Sequence, residues 1–342
     1  MSVGLKQIAE RAGVSAMTVS SALNGTGRIS DKRRREIIKL AENLNYQPNT
    51  LAQTLKSKRK DAIGLLINDH FNYASSGAIS ELTFKFIRYC EEHNKKYNIE
   101  FCDIDGKNEV PDILASGYVG GVVFAGFMFE NQTRFKDWLG AHTDFPIVKF
   151  EEPYNYSVRT DYVNGMLSAL QYLKQHGHTR VGLHIGPQQF GVHNLMSRGF
   201  SQGVDLLSMV CRDDWIYTHN NLVLPDDRKE KMAWLKKIMG RKERPTAMIC
   251  AGMGASRNII NFAMQLGLDV PGDLSVIGKG EASGALAAFP YITTIERDMD
   301  KIIGDAFDIL EHRMKGKNVA NGEKWINPIL VERETVVRAN NA

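Results

Sequence analysis

Ser15, Ala16, Met17, Thr18, Ser20, Ser21 and Asn24 fall within one short stretch, GVSAMTVSSALNGTG (residues 13–27), and offer hydroxyls, an amide and methyl groups. These groups suit contact with a nucleic acid. Hydroxyls and amides bond phosphates and base edges, and methyl groups lie against the C5 methyl of thymine. Catalytic spacings do not occur. The nine histidines form no H-x-x-x-H or H-E-x-x-H, and no serine sits in G-x-S-x-G. GYVGGVVFAG (117–126) is rich in glycine but lacks a G-x-G-x-x-G opening a helix, so a dinucleotide site is not expected. Cys90, Cys102, Cys211 and Cys250 stand apart inside apolar segments. They make neither a zinc spacing nor a disulfide framework, which points to a reducing compartment and to no metal or other cofactor.

The elements around that stretch are legible. Leu5, Ile8, Ala9 and Ala12 recur at helical spacing, and Gly13 ends the helix. Ser15 is placed to cap a second helix, with Val19, Ala22 and Leu23 on one side and Ala16, Met17, Ser20 and Ser21 outward on the other. Two short helices joined by GVS make a helix-turn-helix, whose second helix enters the major groove. Ser30 caps a third helix carrying Ile37, Ile38, Ala41 and Leu44, and its first turn holds Lys32, Arg33, Arg34 and Arg35. Cations there oppose the helix dipole, a placement that phosphates nearby would explain. Pro48 breaks the pattern, and NTLAQTLKSK (49–58) forms at most one helix too short to stand alone in water. Residues 1–60 hold six Lys and six Arg against four acidic residues, a net +8 that leaves −4 on the rest of a +4 chain. A basic head on an acidic body calls for a polyanion partner.

The remainder, to residue 342, alternates apolar runs (AIGLLIN, IEFCDI, GGVVFAG, PIVKF, RVGLHIG, WIYTH, AMICAG, LSVIG) with helical patterns. This is the βαβ signature of an α/β fold with parallel sheets covered on both faces. Eight strands and a late return are too many for one sheet, so two sheets and two lobes are expected. In the helix SSGAISELTFKFIRYCEEHNKK (75–96), Ile79, Leu82, Phe86, Tyr89 and Cys90 line one side while Phe84 and Ile87 lie nearly opposite, a face available to a second subunit. No run approaches the roughly 20 apolar residues of a membrane helix. The N-terminus has no signal-peptide core, so a cytoplasmic protein without membrane partners is expected.

The ordered segments LKQIAERAGVSAMTVSSALNG, ISDKRRREIIKLAENLNYQPNTLAQTLKSKRKDAIGL, VRTDYVNGMLSALQYLKQHGHTRVGLHIG, AMQLGLDVPGDLSVIG and FPYITTIERDMDKIIGDAFDILEHRMKG together resemble the LacI/GalR family of bacterial transcription regulators. The resemblance implies a helix-turn-helix head (1–47), a hinge helix and linker (48–61), and a two-lobed, periplasmic-binding-protein-like body (62–342). Lobe 1 would span about 62–158 and 292–320, lobe 2 about 159–291 and 321–342. It implies a repressor that binds a palindromic duplex operator as a homodimer, without the heptad tail that makes some members tetramers. Thr18, Ser20 and Asn24 would meet phosphates and bases beside Ser15, Ala16, Met17 and Ser21. Leu5, Lys6, Arg28, Ser30, Arg33 and Asn49 would add contacts. Leu55, with Ala52 beside it, would be the apolar wedge that unstacks a central base step in the minor groove. One departure stands out. Where the family usually has Arg after TVS, this chain has Ser21, and a bidentate Arg–guanine contact carries about 1–3 kcal/mol of discrimination.

The resemblance also implies a small-molecule effector between the lobes, with Arg198 holding effector oxygens. The polar residues usual in sugar-responsive members are replaced by Gly252-Met253 and by Lys279-Gly280-Glu281. Asn68, Tyr73, Phe127, Lys149, Arg198, Met253 and Glu281 are the candidate effector residues. Three readings stay open: a sugar held in a different way, a non-sugar metabolite, or control by a protein partner or by none. An extracytoplasmic solute-binding protein would share the body but would need a signal peptide and no helix-turn-helix.

Overall fold

The computed structural model describes residues 5–23, 27, 29–44, 62–68, 78–102, 110–126, 133–188, 190–218, 228–320 and 322–339. The chain divides into two compact units, residues 1–59 and 60–342.

In the first unit, α1 (Leu5–Ala12), α2 (Ala16–Leu23) and α3 (Asp31–Asn43) share a core of Ile8, Ala9, Val19, Ala22, Ile37 and Ala41. α1 stops at Gly13, whose φ of +62° closes a Schellman turn: Gly13 N–H bonds the Glu10 carbonyl at 3.3 Å and Val14 N–H the Ala9 carbonyl at 3.0 Å. Val14 then folds back onto the core. Ser15 caps α2, its Oγ accepting Thr18 N–H at 3.1 Å, and Ser30 Oγ accepts Arg33 N–H at 3.4 Å at the start of α3.

The second unit contains β1 (Ala62–Asn68), α4 (Ala78–Glu92), β2 (Tyr97–Cys102), α5 (Asp112–Ala115), β3 (Val119–Gly126), α6 (Thr133–Ala141), β4 (Ile147–Phe150), β5 (Tyr156–Thr160), α7 (Tyr162–Gln175), β6 (Val181–Ile185), α8 (Gly191–Leu206), β7 (Ile216–Thr218), α9 (Arg228–Met239), β8 (Ala247–Cys250), α10 (Met253–Gln265), β9 (Ser275–Lys279), α11 (Ala282–Leu286), β10 (Thr293–Glu296), α12 (Met299–Met314), β11 (Gly322–Ile326) and β12 (Ile329–Val331). They build two six-stranded sheets, ordered β11-β5-β4-β3-β1-β2 and β12-β10-β9-β8-β6-β7. Every pairing is parallel except β12, which runs antiparallel to β10. Each sheet has separate apolar cores on its two faces, so both are doubly wound.

Two expectations change. β10 belongs to the second sheet and β11 to the first, so the expected lobe boundaries near 292 and 321 are wrong. The chain leaves lobe 2 only after Glu296, enters lobe 1 through α12 and β11, and returns at β12. On α4, Phe84 is exposed as expected, but Ile87 packs into the lobe 1 core beside Leu82, Phe86 and Cys90. Among the described residues, no helix is long and apolar enough to cross a membrane.

α7 and α8 lie close because α8 presents glycines. A Cβ on Gly199 would stand 2.7 Å from both the Val163 Cα and its carbonyl oxygen, and one on Gly203 would stand 2.5 Å from Leu170. The Val163 backbone cannot swing aside. Gly199→Ala is therefore expected to cost about 1–3 kcal/mol, read as a lower melting temperature with the fold retained by circular dichroism. An unchanged melting temperature would show slack between the two helices.

Candidate DNA-reading head and interlobe site

The outward face of α2 is narrower than its sequence suggests. Met17 is 80% exposed, and Ser15 is exposed at the helix start. Thr18, Ser20 and Ser21 are half-buried. The hydroxyls of Ser15 and Thr18 lie 2.9 Å apart. Ala16, expected to face outward, packs against the head core. Ser21 lies beside the turn at Gly27, where an added Cβ would come within 3.2 Å of the Ser21 Cβ. Leu5 also packs against the core, so its side chain serves the head's stability.

The basic first turn of α3 divides into two jobs. Arg33 donates to the Ala12 carbonyl and, at 2.8 Å, to Glu36. That carbonyl is one of those left unpaired at the end of α1, so Arg33 staples α3 to α1. Arg34 donates to the Gly27 carbonyl at 3.4 Å. Lys32 and Arg35 are exposed. Arg33, expected to face DNA, spends part of its guanidinium on Ala12 and Glu36 while its side chain stays 43% exposed. Asn24, Arg28, Asn49, Ala52 and Leu55, and the side chain of Lys6, lie outside the described residues.

In the body, the carboxyl ends of parallel strands in the two sheets supply the second candidate site. β1 ends at Asn68, in register with Cys102 and Gly126. The Asn68 side chain, Tyr73 and Phe127 are outside the described residues. Of the remaining candidates, Met253 lies beside the loop that carries Glu281, since a Cβ added at Gly280 or Gly284 would meet the Met253 side chain at 2.3 or 3.0 Å. Arg198 does not join them. It shares the exposed stripe of α8 with Asn194, Ser201 and Asp205, while Met196, Gly199 and Phe200 form the buried face.

A charged cluster fills the seam, in which Arg297 and Glu151 join the expected Lys149 and Glu281. Arg297, on the chain crossing that follows β10, donates to Glu281, and both side chains are 7% exposed. Its guanidinium carbon lies 5.6 Å from the Phe150 ring, which belongs to lobe 1. Lys279 Nζ stands 5.2 Å from the Tyr162 ring. Glu151, with φ +63°, accepts Thr160 N–H at 3.0 Å and Thr160 Oγ at 2.6 Å. On the other side, buried Lys149 faces the Tyr154 ring at 4.8 Å and the Phe124 ring at 5.5 Å. Arg159 stacks on Trp325 at 4.4 Å and pairs with Glu323 at 2.8 Å.

The ionisable groups respond to this crowding. Burial pushes the Glu281 carboxyl up, but Arg297 and Lys279 outweigh it and hold it below the usual range. Burial and the neighbouring Arg297 bring Lys279 down to about 8. Burial raises Glu152 to about 7 against the pull of Lys149 and Arg159. The sequence signals for Arg297 and Glu151 were weak, because each follows a strand as a single charge among other loop charges.

A helix-turn-helix head joined to a two-lobed α/β body with a polar seam defines a ligand-responsive DNA-binding regulator. Residues 4–49 match the model for bacterial regulatory proteins of the lacI family, and residues 170–336 match the periplasmic binding protein-like domain. The chain belongs to the LacI/GalR family of transcription regulators. It is 27% identical over 349 residues to the HTH-type transcriptional repressor PurR of Vibrio vulnificus, covering 98% of this chain and 99% of that one. Against the PurR of Proteus mirabilis the identity is 25% over 341 residues, covering 97% and 96%. The fold is shared with the lac repressor dimer bound to operator and the anti-inducer ONPF, at a TM-score of 0.83 and 21% identity over 98% of this chain and 100% of that one. It is also shared with a complex of the regulator CelR with cellobiose, at 0.67 and 19% with the same coverage.

The Glu152 carboxyl gives a pH test. Its folded value, about 7, lies above the ordinary 4.5, so its stabilising effect is complete below pH 4.5 and is lost as pH rises through 7. Glu152→Gln is expected to melt higher than the parent at pH 8 and to lose that advantage by pH 4.5. An equal difference at both values would mean that the carboxyl is not desolvated.

Proposed function

We propose that this protein is a dimeric repressor that binds a palindromic operator and whose DNA affinity is set by a small molecule held between the lobes. It acts in the cytoplasm by binding and not by catalysis. The observation that carries the reading is α2 itself: a Ser-capped helix on a basic head, with Met17 standing clear of the surface. Lys32 and Arg35 supply phosphate contacts. Met17 and the hydroxyls of Thr18, Ser20 and Ser21 meet base edges and thymine methyls. Leu55 and Ala52 act in the minor groove.

Dimerisation is favoured by apolar surface in both lobes. Phe84 on α4 is 63% exposed and Phe101 lies on the edge strand β2, while Phe289 is 80% exposed with Leu286 and Tyr291 near it in lobe 2. Isolated exposed apolar residues are ordinary, but aromatic groups on both lobes of one chain suit a continuous two-fold interface. A two-fold dimer places two heads on two half-sites. Lys149, Met253 and Glu281 are the retained effector candidates, joined by Arg297, Lys279 and Glu151.

Binding of a duplex selected from random sequence should weaken steeply with salt, with log affinity falling linearly against log salt. A duplex that fails to bind at low salt would sink the regulator reading. Ser21→Arg should change the preferred base at one position per half-site by about 1–3 kcal/mol. Leu55→Ala should weaken the selected duplex more than random DNA; equal losses would remove the wedge.

A further inference from the structure

The part of the seam around Arg297 gathers cationic donors, Arg297 and Lys279, about one carboxylate, Glu281. Glu151 spends both carboxylate oxygens on Thr160. Glu281 is paired with Arg297. The donors are less well served. The Arg159 Nε is buried without a hydrogen-bond partner among the described residues, and Tyr162, also more than nine-tenths buried, has only the Thr160 side chain near its hydroxyl. Lys279 Nζ faces an aromatic ring and makes no ion pair among the described residues. Arg297 has five N–H groups, of which the carboxylate of Glu281 occupies one end. Around Arg297 the carboxylates of Glu151 and Glu281 are committed, whereas the buried acceptor without a partner among the described residues, Glu152 Oε1, lies on the other side of the seam with Lys149 and Arg159. An anion would bring only acceptors.

The geometry shows which anion. The group now resting on Arg297, with Lys279 also acting on it, is a carboxylate, and it arrives on the short loop between β9 and α11. That loop contains Gly280, at φ +156°, where a Cβ would meet the Met253 side chain at 2.3 Å. Glycine at this point lets the backbone carry Glu281 past Met253 to the crossing chain. Phe150 of lobe 1 closes the other side of the guanidinium.

We infer that the Glu281 carboxylate is an internal ligand occupying an anion subsite formed by Arg297 and Lys279, and that the effector is a small carboxylate that displaces it. The inference rests on the reading of the seam as the effector site. Displacement exchanges one carboxylate for another on Arg297, and the released Glu281 carboxylate swings out to water, so that neither anion is left buried and unpaired. Because Arg297 contacts both lobes, the exchange alters what holds lobe 2 to the chain crossing.

The test uses the full chain with acetate as probe and chloride of equal ionic strength as control. In Glu281→Ala, acetate should raise the melting temperature by about 3 °C more than chloride, saturably. Adding Arg297→Met should remove that increment, and the parent should show little of it because its own carboxylate competes. If Glu281→Ala folds only in acetate, the subsite is supported directly. If it folds in neither salt, Glu281→Gln carries the test, since it keeps the volume and frees Arg297 to recruit acetate. Stabilisation by acetate no greater than by chloride in the folded variant, or an equal effect with Arg297→Met, overturns the subsite. Operator affinity of the acetate-loaded variant should differ about tenfold from the acetate-free one. Acetate binding with unchanged operator affinity overturns the effector role, while a duplex bound in neither condition counts against the regulator reading and leaves the subsite standing.

Discussion

The body is organised by the crossings of the chain between its two sheets. Strand β5 ends at Thr160 and α7 begins in the other lobe at Tyr162; β10 ends at Glu296 and α12 begins in lobe 1 at Met299; β11 ends at Ile326 and β12 begins in lobe 2 at Ile329. Backbone polar groups at such crossings are withdrawn from water and must find partners in the protein. They do so on one another. Asp161 N–H bonds the Ile326 carbonyl at 2.8 Å, joining the first crossing to the third, and Gly280 N–H bonds the Ile295 carbonyl at 3.1 Å beside the second. Glu151 holds the Thr160 backbone and hydroxyl from lobe 1. At Gly165 an added Cβ would come within 2.6 Å of the Pro328 ring, so α7 rests directly on the third crossing.

The buried ion pair Arg297–Glu281 belongs to the same set of constraints. Two charges taken from water lose several kcal/mol of hydration each, and their attraction returns roughly that amount, so the pair adds little net stability. Removing one partner is a different matter, at about 3–5 kcal/mol, because the other charge is then left unpaired. The consequence is specificity of arrangement. Any movement of lobe 2 that draws Glu281 away from Arg297 must supply a replacement anion or admit water. That makes the crossing a switchable element, and it also explains why the surrounding residues are polar where cores of similar burial are apolar.

The parts legible in the sequence are those governed by local rules. The Schellman turn at Gly13, the caps at Ser15 and Ser30, and the alternation of parallel strands and helices follow from short-range spacing and the burial of apolar faces. Strand β5, YSVRT, has no apolar run to mark it, because Ser157, Arg159 and Thr160 are buried in it as polar groups serving the seam. The assignment of β11 to the first sheet depends on its pairing with β5, more than 150 residues earlier, and leaves no local trace. Arg33 shows a related limit, since a cation at a helix start looks like a phosphate contact until the carbonyl of Ala12 is seen beside it.

The head's small reading face now has a physical explanation. With Ala16 packed inward and Arg33 and Arg34 spent on carbonyls of the turns they brace, the rigid part of the head keeps few long polar side chains for base edges. Phosphate contacts from exposed cations fix register but carry no sequence information. In the proposed function, discrimination comes from Met17 and the hydroxyls of α2, each worth less than a bidentate pair, and from features that multiply across a dimer: half-site spacing and the deformability of the central step. Both of these depend on how two bodies hold two hinges. A head with sparse base contacts therefore hands specificity to the body, and this is the arrangement in which a change at the lobe crossing has the greatest leverage on DNA binding.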